Sequence, residues 1–326
     1  MSGAPLPKPV LLDLAQASAI DVAVFGECML ELSGPAFGAV RQGFGGDTLN
    51  TAVYLARCGQ GRLRVHYATA LGEDSLSAGL LSRWQAEGLC LDQVRRLPGR
   101  LPGLYQIEVD ARGERSFHYW RQASAARSYF DQPSPTPFEA QAEHCQVLYL
   151  SGISLAILPP AGRERLLALM AQRRAQGAWV VFDSNYRPSL WESVEQARLV
   201  LDQAFRSASL ALVSLDDHAA LWALQHDSNA ALERAKDLPC PELVIKRGAE
   251  PALLRASGQQ AVWQQVPTEA VTEVVDSTAA GDAFAAAYLY ARLCGKSVEQ
   301  SARQGHRLAA QVIRCPGALI PLVAMP

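Results

Sequence analysis

The stretch VDSTAAGDAF, Val275 to Phe284, leaves an apolar run, passes through a set of small residues and ends on a carboxylate where a helix is due to begin. Downstream, Phe284, Tyr288 and Leu289 mark an apolar stripe and Gly295 supplies a stop, so the spacing predicts a helix from about Asp282. Small residues let the backbone approach a ligand closely. The N–H groups of Ala279, Ala280 and Gly281 would then converge at the positive end of the helix dipole, a setting that suits a phosphoryl group. Asp282, beside that group, is placed to take the proton of an attacking hydroxyl. It is equally read as an N-terminal cap.

Far upstream, GFGGDTLNTA (Gly43 to Ala52) opens a second helix in the same manner, with Leu49, Ala52, Val53 and Ala56 at helical spacing and Gly59 as its stop. Gly45 and Gly46 would admit a polyol against the backbone. Asp47 and Asn50 lie three apart on one face, where they either hydrogen-bond sugar hydroxyls or serve a plain glycine turn with an Asp cap.

Between these turns, strand-like and helix-like runs alternate. DVAVFGECMLEL reads as one strand with Glu31 near its end, VHYATALG precedes a helix, and VLYLSGISLAIL, WVVFDSNYR and LALVSLDD are each followed by another. That alternation predicts an α/β fold, a doubly wound and mostly parallel sheet flanked by helices, with ligands at the carboxyl ends of its strands. Residues 101–121 break the pattern and read as a hairpin turning at Asp110-Ala111-Arg112-Gly113. The expected organisation is a loose tail over 1–19 and one domain over 20–326, with a small discontinuous β lid built from about 33–45 and 100–122.

Composition narrows the partners. A formal net charge of -2 over 326 residues gives no electrostatic case for nucleic acid or a membrane surface, and no apolar run is long enough to span a bilayer. The seven cysteines stand singly and the six histidines are dispersed, so neither type offers metal-ligand spacing, and a cytoplasmic protein is expected.

Two glycine-gated helix starts, in a chain without a Walker A loop, resemble the ribokinase-like (PfkB) carbohydrate kinases. In that family the upstream Gly-Gly turn binds sugar, and a D-T-x-G-A-G-D motif supplies the anion hole and the catalytic base. Here the motif stands as DSTAAGD, Asp276 to Asp282, with departures read at Ser277 and Ala280. The family's N-x-x-E motif is matched at SLDD, where Asp217 would act on magnesium through water or is simply a solvated acid. LVIKRGAEP resembles the nucleotide shelf, placing Lys246, Arg247 and Gly248 at ATP together with Asn185, Arg187 and the 279–281 backbone.

Within the family, GECMLELS, RQGFGGDTLNTAVYLAR, FDSNYRP and VIKRGAE are most similar to members that phosphorylate 2-keto-3-deoxygluconate. The resemblance implies ATP and Mg2+ as cofactors, a monovalent cation as a further one, a small sugar acid as substrate, and a homo-oligomer formed through the lid. Arg121, which ends the hairpin strand, and Arg187, which follows a strand, suit a carboxylate or phosphate in bidentate fashion, or else form surface ion pairs. Tyr105 and Tyr119 on the hairpin are either substrate hydroxyl donors or core aromatics. The expected activity is phosphoryl transfer to the sugar acid, with a kinase for another sugar or a non-catalytic sensor of the same fold as alternatives.

Overall fold

The computed structural model describes residues 19–109, 115–132, 135–256 and 262–326. The tail before residue 19 and the expected hairpin turn at 110–113 lie outside the described residues.

Among the described residues thirteen strands run in chain order: β1 Ile20–Phe25, β2 Met29–Ser33, β3 Arg41–Gly45, β4 Leu63–Leu71, β5 Val94–Arg96, β6 Gly103–Val109, β7 Arg115–Trp120, β8 Val147–Ser151, β9 Trp179–Asp183, β10 Leu210–Ser214, β11 Glu242–Arg247, β12 Glu250–Arg255 and β13 Trp263–Val266. Nine of them form one sheet in the order β13-β12-β11-β10-β9-β8-β1-β4-β5. Pairing is parallel from β11 to β5 and antiparallel only at the β11-β12-β13 edge.

Both faces are covered, and β1 shows why its sequence is apolar throughout. Val22 and Val24 face a core that includes Leu49, Tyr54, Phe284 and Tyr288, while Ala23 and Phe25 face a second core with Phe138, Leu166 and Phe205. A strand buried on both sides has no use for polar alternation.

The predicted single strand DVAVFGECMLEL is in fact two. β1 ends at Phe25 in the main sheet, and β2 begins at Met29 in a separate four-stranded sheet ordered β3-β2-β6-β7. Sequence pattern could not reveal the break, because Gly26 is demanded by a tertiary approach: a Cβ there would sit 2.0 Å from Thr48 Oγ1. Glu31 therefore belongs to the lid and not to the first strand of the main sheet. The lid pairs β2 with β3 and β6 with β7 antiparallel, joins the two hairpins through parallel β2–β6, and starts at Met29, earlier than about residue 33.

The helices Asp47–Gly59 and Ala280–Leu293 pack against each other on one face of the main sheet and start beside the same cavity. The latter begins two residues before the Asp282 expected from spacing. No described helix is long and apolar enough to cross a membrane.

Candidate active site

A cavity of about 710 Å³ lies between the carboxyl ends of the main strands and the lid. Its lining gathers almost all the residues singled out from sequence: Gly45, Gly46, Asp47 and Asn50 from the first turn, Ala279 to Asp282 from the second, Tyr105, Tyr119 and Arg121 from the lid side, and Asn185, Arg187, Asp217, Lys246, Arg247 and Gly248 from the strand ends.

The two turns are joined directly. Asn50 Nδ2 donates to Asp282 Oδ2 at 2.9 Å, and Thr51 Oγ1 donates to the Asp282 carbonyl at 3.4 Å. Neither turn's acid makes a side-chain cap: the 47–59 helix is preceded by Gly46 and the 280–293 helix by Ala279, both without a side-chain cap bond. Asp282 in the first helical turn is thus free to face the cavity. Burial raises its pKa to about 8, and the like charges of Asp47 and Asp183 push the same way, against the hydrogen bond from Asn50 and the charge of Lys246. A carboxyl so tuned holds and releases a proton near neutrality, as a general base must.

The second turn has an unusual backbone. Ala279 adopts φ 62°, ψ 11°, the left-handed region that an alanine enters at a cost of about 1–2 kcal/mol. The motif's first glycine therefore corresponds to Ala279, and the departure from the family pattern falls there and not at Ala280: only a residue without Cβ takes this conformation freely. Ala280 N–H turns back to Ser277 C=O at 3.3 Å, whereas Ala279 and Gly281 N–H make no protein bond among the described residues. Asp276 braces the turn, accepting from Thr278 N–H and from Gly317 N–H, both at 2.9 Å.

At the strand ends, Lys246 Nζ donates to buried Asp183 Oδ2 at 2.8 Å and stands 3.4 Å from where a Cβ on Gly281 would be. Arg187 donates to both Asp217 oxygens, at 3.1 and 3.0 Å. Asn185, strained at φ 27°, donates to Asp47 Oδ2 at 2.7 Å and so ties the strand end to the first turn. Asp217 lies in the first turn of the helix Leu215–Trp222, which Ser214 caps, and burial raises its pKa while Arg187 opposes the rise.

Among the described residues no three His, Cys, Asp or Glu side chains converge on a point, and Asp217, the acid read from sequence as reaching magnesium through water, lines the cavity.

On the lid side, Tyr105 O–H donates to Glu31, the rings of Phe117 and Tyr119 stack, and the Tyr105 ring lies tilted against both. Burial and the Glu31 charge both raise the Tyr105 pKa, keeping it a hydroxyl. Arg121 is only 7% exposed and pairs through Nε and Nη2 with a single oxygen of Glu27, itself 2% exposed. Glu27, Asp183 and His306 line the cavity without having been singled out from sequence. The partners of Glu27 and Asp183 are 94 and 63 residues away, so no local pattern marks them. His306 packs edge-on against Phe284, and burial lowers its pKa to about 4.

Comparison with known proteins follows the same lines. The profile of pfkB family carbohydrate kinases matches residues 19–325. The 2-dehydro-3-deoxygluconokinase of Escherichia coli (strain K12) is 45% identical over 307 residues, 94% of this chain and 98% of that protein. The enzyme of the same name from Dickeya dadantii (strain 3937) is 45% identical over 308 residues, with the same coverage. Among solved structures, a fructokinase with bound ATP from Xylella fastidiosa superposes with a TM-score of 0.76 at 26% identity, covering 94% of this chain and 95% of that one. The 2-dehydro-3-deoxygluconokinase of Thermotoga maritima gives 0.74 at 22% identity, covering 93% and 95%, and shares the fold.

Proposed function

The chain belongs to the pfkB family of carbohydrate kinases, and from that premise we propose that it transfers the γ-phosphoryl group of ATP to the 6-hydroxyl of 2-keto-3-deoxygluconate, also called 2-dehydro-3-deoxygluconate. One observation carries the reading: the Asn50–Asp282 hydrogen bond sets a carboxyl tuned to about pKa 8 at the junction of the sugar turn and the phosphate turn. There Asp282 takes the 6-hydroxyl proton while the alcohol oxygen bonds to the γ-phosphorus. The bond from that phosphorus to the bridging oxygen breaks, and ADP leaves.

Ala279 and Gly281 N–H, at the helix start, meet the charge that builds on the phosphoryl oxygens, with Ala280 available if its turn bond opens. Gly45, Gly46, Asp47 and Asn50 seat the sugar hydroxyls. Lys246, Arg247, Gly248 and Asn185 flank the nucleotide, and Arg187 lies where acid and phosphate meet. Arg121 meets the substrate carboxylate, and Tyr105 and Tyr119 close over it from the lid. Magnesium neutralises the phosphate charge when bound; Asp217 would reach it through water. A monovalent cation is a further expected activator, and a second copy is expected to pair through the lid.

Incubating the protein with ATP, magnesium and 2-keto-3-deoxygluconate should yield the 6-phosphate and ADP in equal amounts. Faster turnover of fructose would replace the substrate and keep the kinase. Binding of the acid with no product would leave a sensor.

A further inference from the structure

The chain passes between the main domain and the lid four times. It enters between β1 and β2 at 26–28, returns at Gly46 after β3, enters again at Gly103 where β6 begins, and leaves at Arg121 just after β7. All four crossings meet at one residue. Glu27 is on the first. On the second, a Cβ at Gly46 would sit 2.2 Å from the Glu27 carbonyl oxygen. On the third, a Cβ at Gly103 would sit 2.8 Å from Glu27 Oε1 and 3.3 Å from Arg121 Cβ. On the fourth, Arg121 Nε donates to Glu27 Oε2 at 2.9 Å, and Nη2 donates to the same oxygen.

This placement is costly and therefore informative. The carboxylate of a residue only 2% exposed needs compensation, yet Oε1 has no hydrogen-bond partner among the described residues. Both Arg121 bonds fall on the other oxygen, a grip on one edge of the guanidinium that fixes its plane and leaves Nη1 without a hydrogen-bond partner among the described residues. Arg121 lines the cavity, with Tyr119 6.0 Å away at its ring centre.

We propose that Glu27 is a positioning residue, the pin at which the four lid crossings are held and the group that aims Arg121 at the substrate carboxylate. The proposal rests on the reading of Arg121 as the carboxylate's partner. Motion of the lid about this point carries the guanidinium with it, so lid closure and acid recognition are one event. Glycine at 46 and 103 follows from the need to admit this side chain and its backbone.

The test is steady-state kinetics of Glu27→Gln, which keeps the shape and removes the charge, with the sugar acid, a neutral ketose and ATP varied in turn. The KM for the acid should rise about tenfold or more, while the KM for ATP and for the ketose stay near wild type. Glu27→Asp, which keeps the charge on a shorter stem, should show a smaller shift of the same pattern and serves if the Gln variant does not fold. Equal rises for acid and ketose would make Glu27 a mere fastening of the lid and overturn the proposal. So would unchanged constants in a protein whose Arg121→Ala variant is impaired on the acid. An Arg121→Ala variant that keeps the wild-type KM for the acid would instead remove the underlying reading of Arg121, and the inference with it.

Discussion

Both small-residue turns open helices onto one cavity, yet they are small for opposite reasons. At the first turn the backbone is relaxed: Gly46 has φ 170°, an extended value open to any residue, and the neighbouring Glu27 carbonyl is what forbids a side chain. At the second turn there is room. A Cβ on Gly281 would meet nothing closer than Lys246 Nζ at 3.4 Å, but the backbone at Ala279 is left-handed and the residue there is not glycine. One turn is constrained by what surrounds it and the other by its own dihedral angles. Substitutions should therefore fail differently on the two sides.

The largest effect belongs to the acid between them. Asp282→Asn should retain ATP and sugar binding and lose two to four decades of kcat, roughly the worth of a positioned base. Near-normal turnover in a folded variant would return Asp282 to structure alone and dissolve the functional half of the comparison.

Next come the glycines. Gly46→Ala must displace a backbone oxygen and should cost about 1–3 kcal/mol, seen as a fall in Tm together with a raised sugar KM. Gly281→Ala should leave Tm nearly unchanged and act on phosphate, lowering kcat. Equal melting shifts would contradict the assignment of one turn to crowding and the other to conformation.

The pH dependence is smaller and its sign is fixed. Because the folded pKa of Asp282 is raised to about 8 from an ordinary 3.8, kcat/KM should climb with pH and level off above about 8, as the base ionises. Stability runs the other way. Above about pH 8 the native state carries a penalised carboxylate, and as pH falls the native state takes up a proton that the unfolded chain does not bind until near pH 4. Asp282→Asn should accordingly melt higher than wild type at pH 9, with the advantage shrinking toward pH 5. A constant difference across that window would mean that the raised pKa is not realised.

The smallest effect should come from Ala279→Gly. Relief of the left-handed alanine should stabilise the protein by up to about 1 kcal/mol, with kcat changed by less than tenfold. Destabilisation would show that the methyl group packs usefully enough to outweigh its strain.

These contrasts also explain what the chain discloses on reading. Strand and helix alternation, the hairpin, and both helix starts are local patterns, and each lies where it was expected to within a few residues. The break at Gly26 is invisible because Thr48, the reason for it, comes from a different element. Ala279 looks like any small residue until its φ is known. The arginines declare a charge but not its partner, and Glu27 and Asp217, which hold Arg121 and Arg187, follow no spacing rule because each pair forms only after the sheet is assembled. Most of the residues singled out from sequence line one cavity, whereas the bonds among them could not be read.

The parallel seam between β2 and β6 has a consequence for how the chain is made. β3 ends at Gly45 and β6 begins at Gly103, so a ribosome releases the first lid hairpin and then the 47–59 helix, β4 and the helix Ser75–Ala86 before the strand that closes the hairpin's free edge exists. Throughout that interval the nascent chain carries an open β edge beside apolar Met29 and Leu30, the kind of surface on which unfinished polypeptides adhere to one another and to which chaperones bind. Synthesis that stalls between Gly45 and Gly103 should be the step at which this protein is most readily lost.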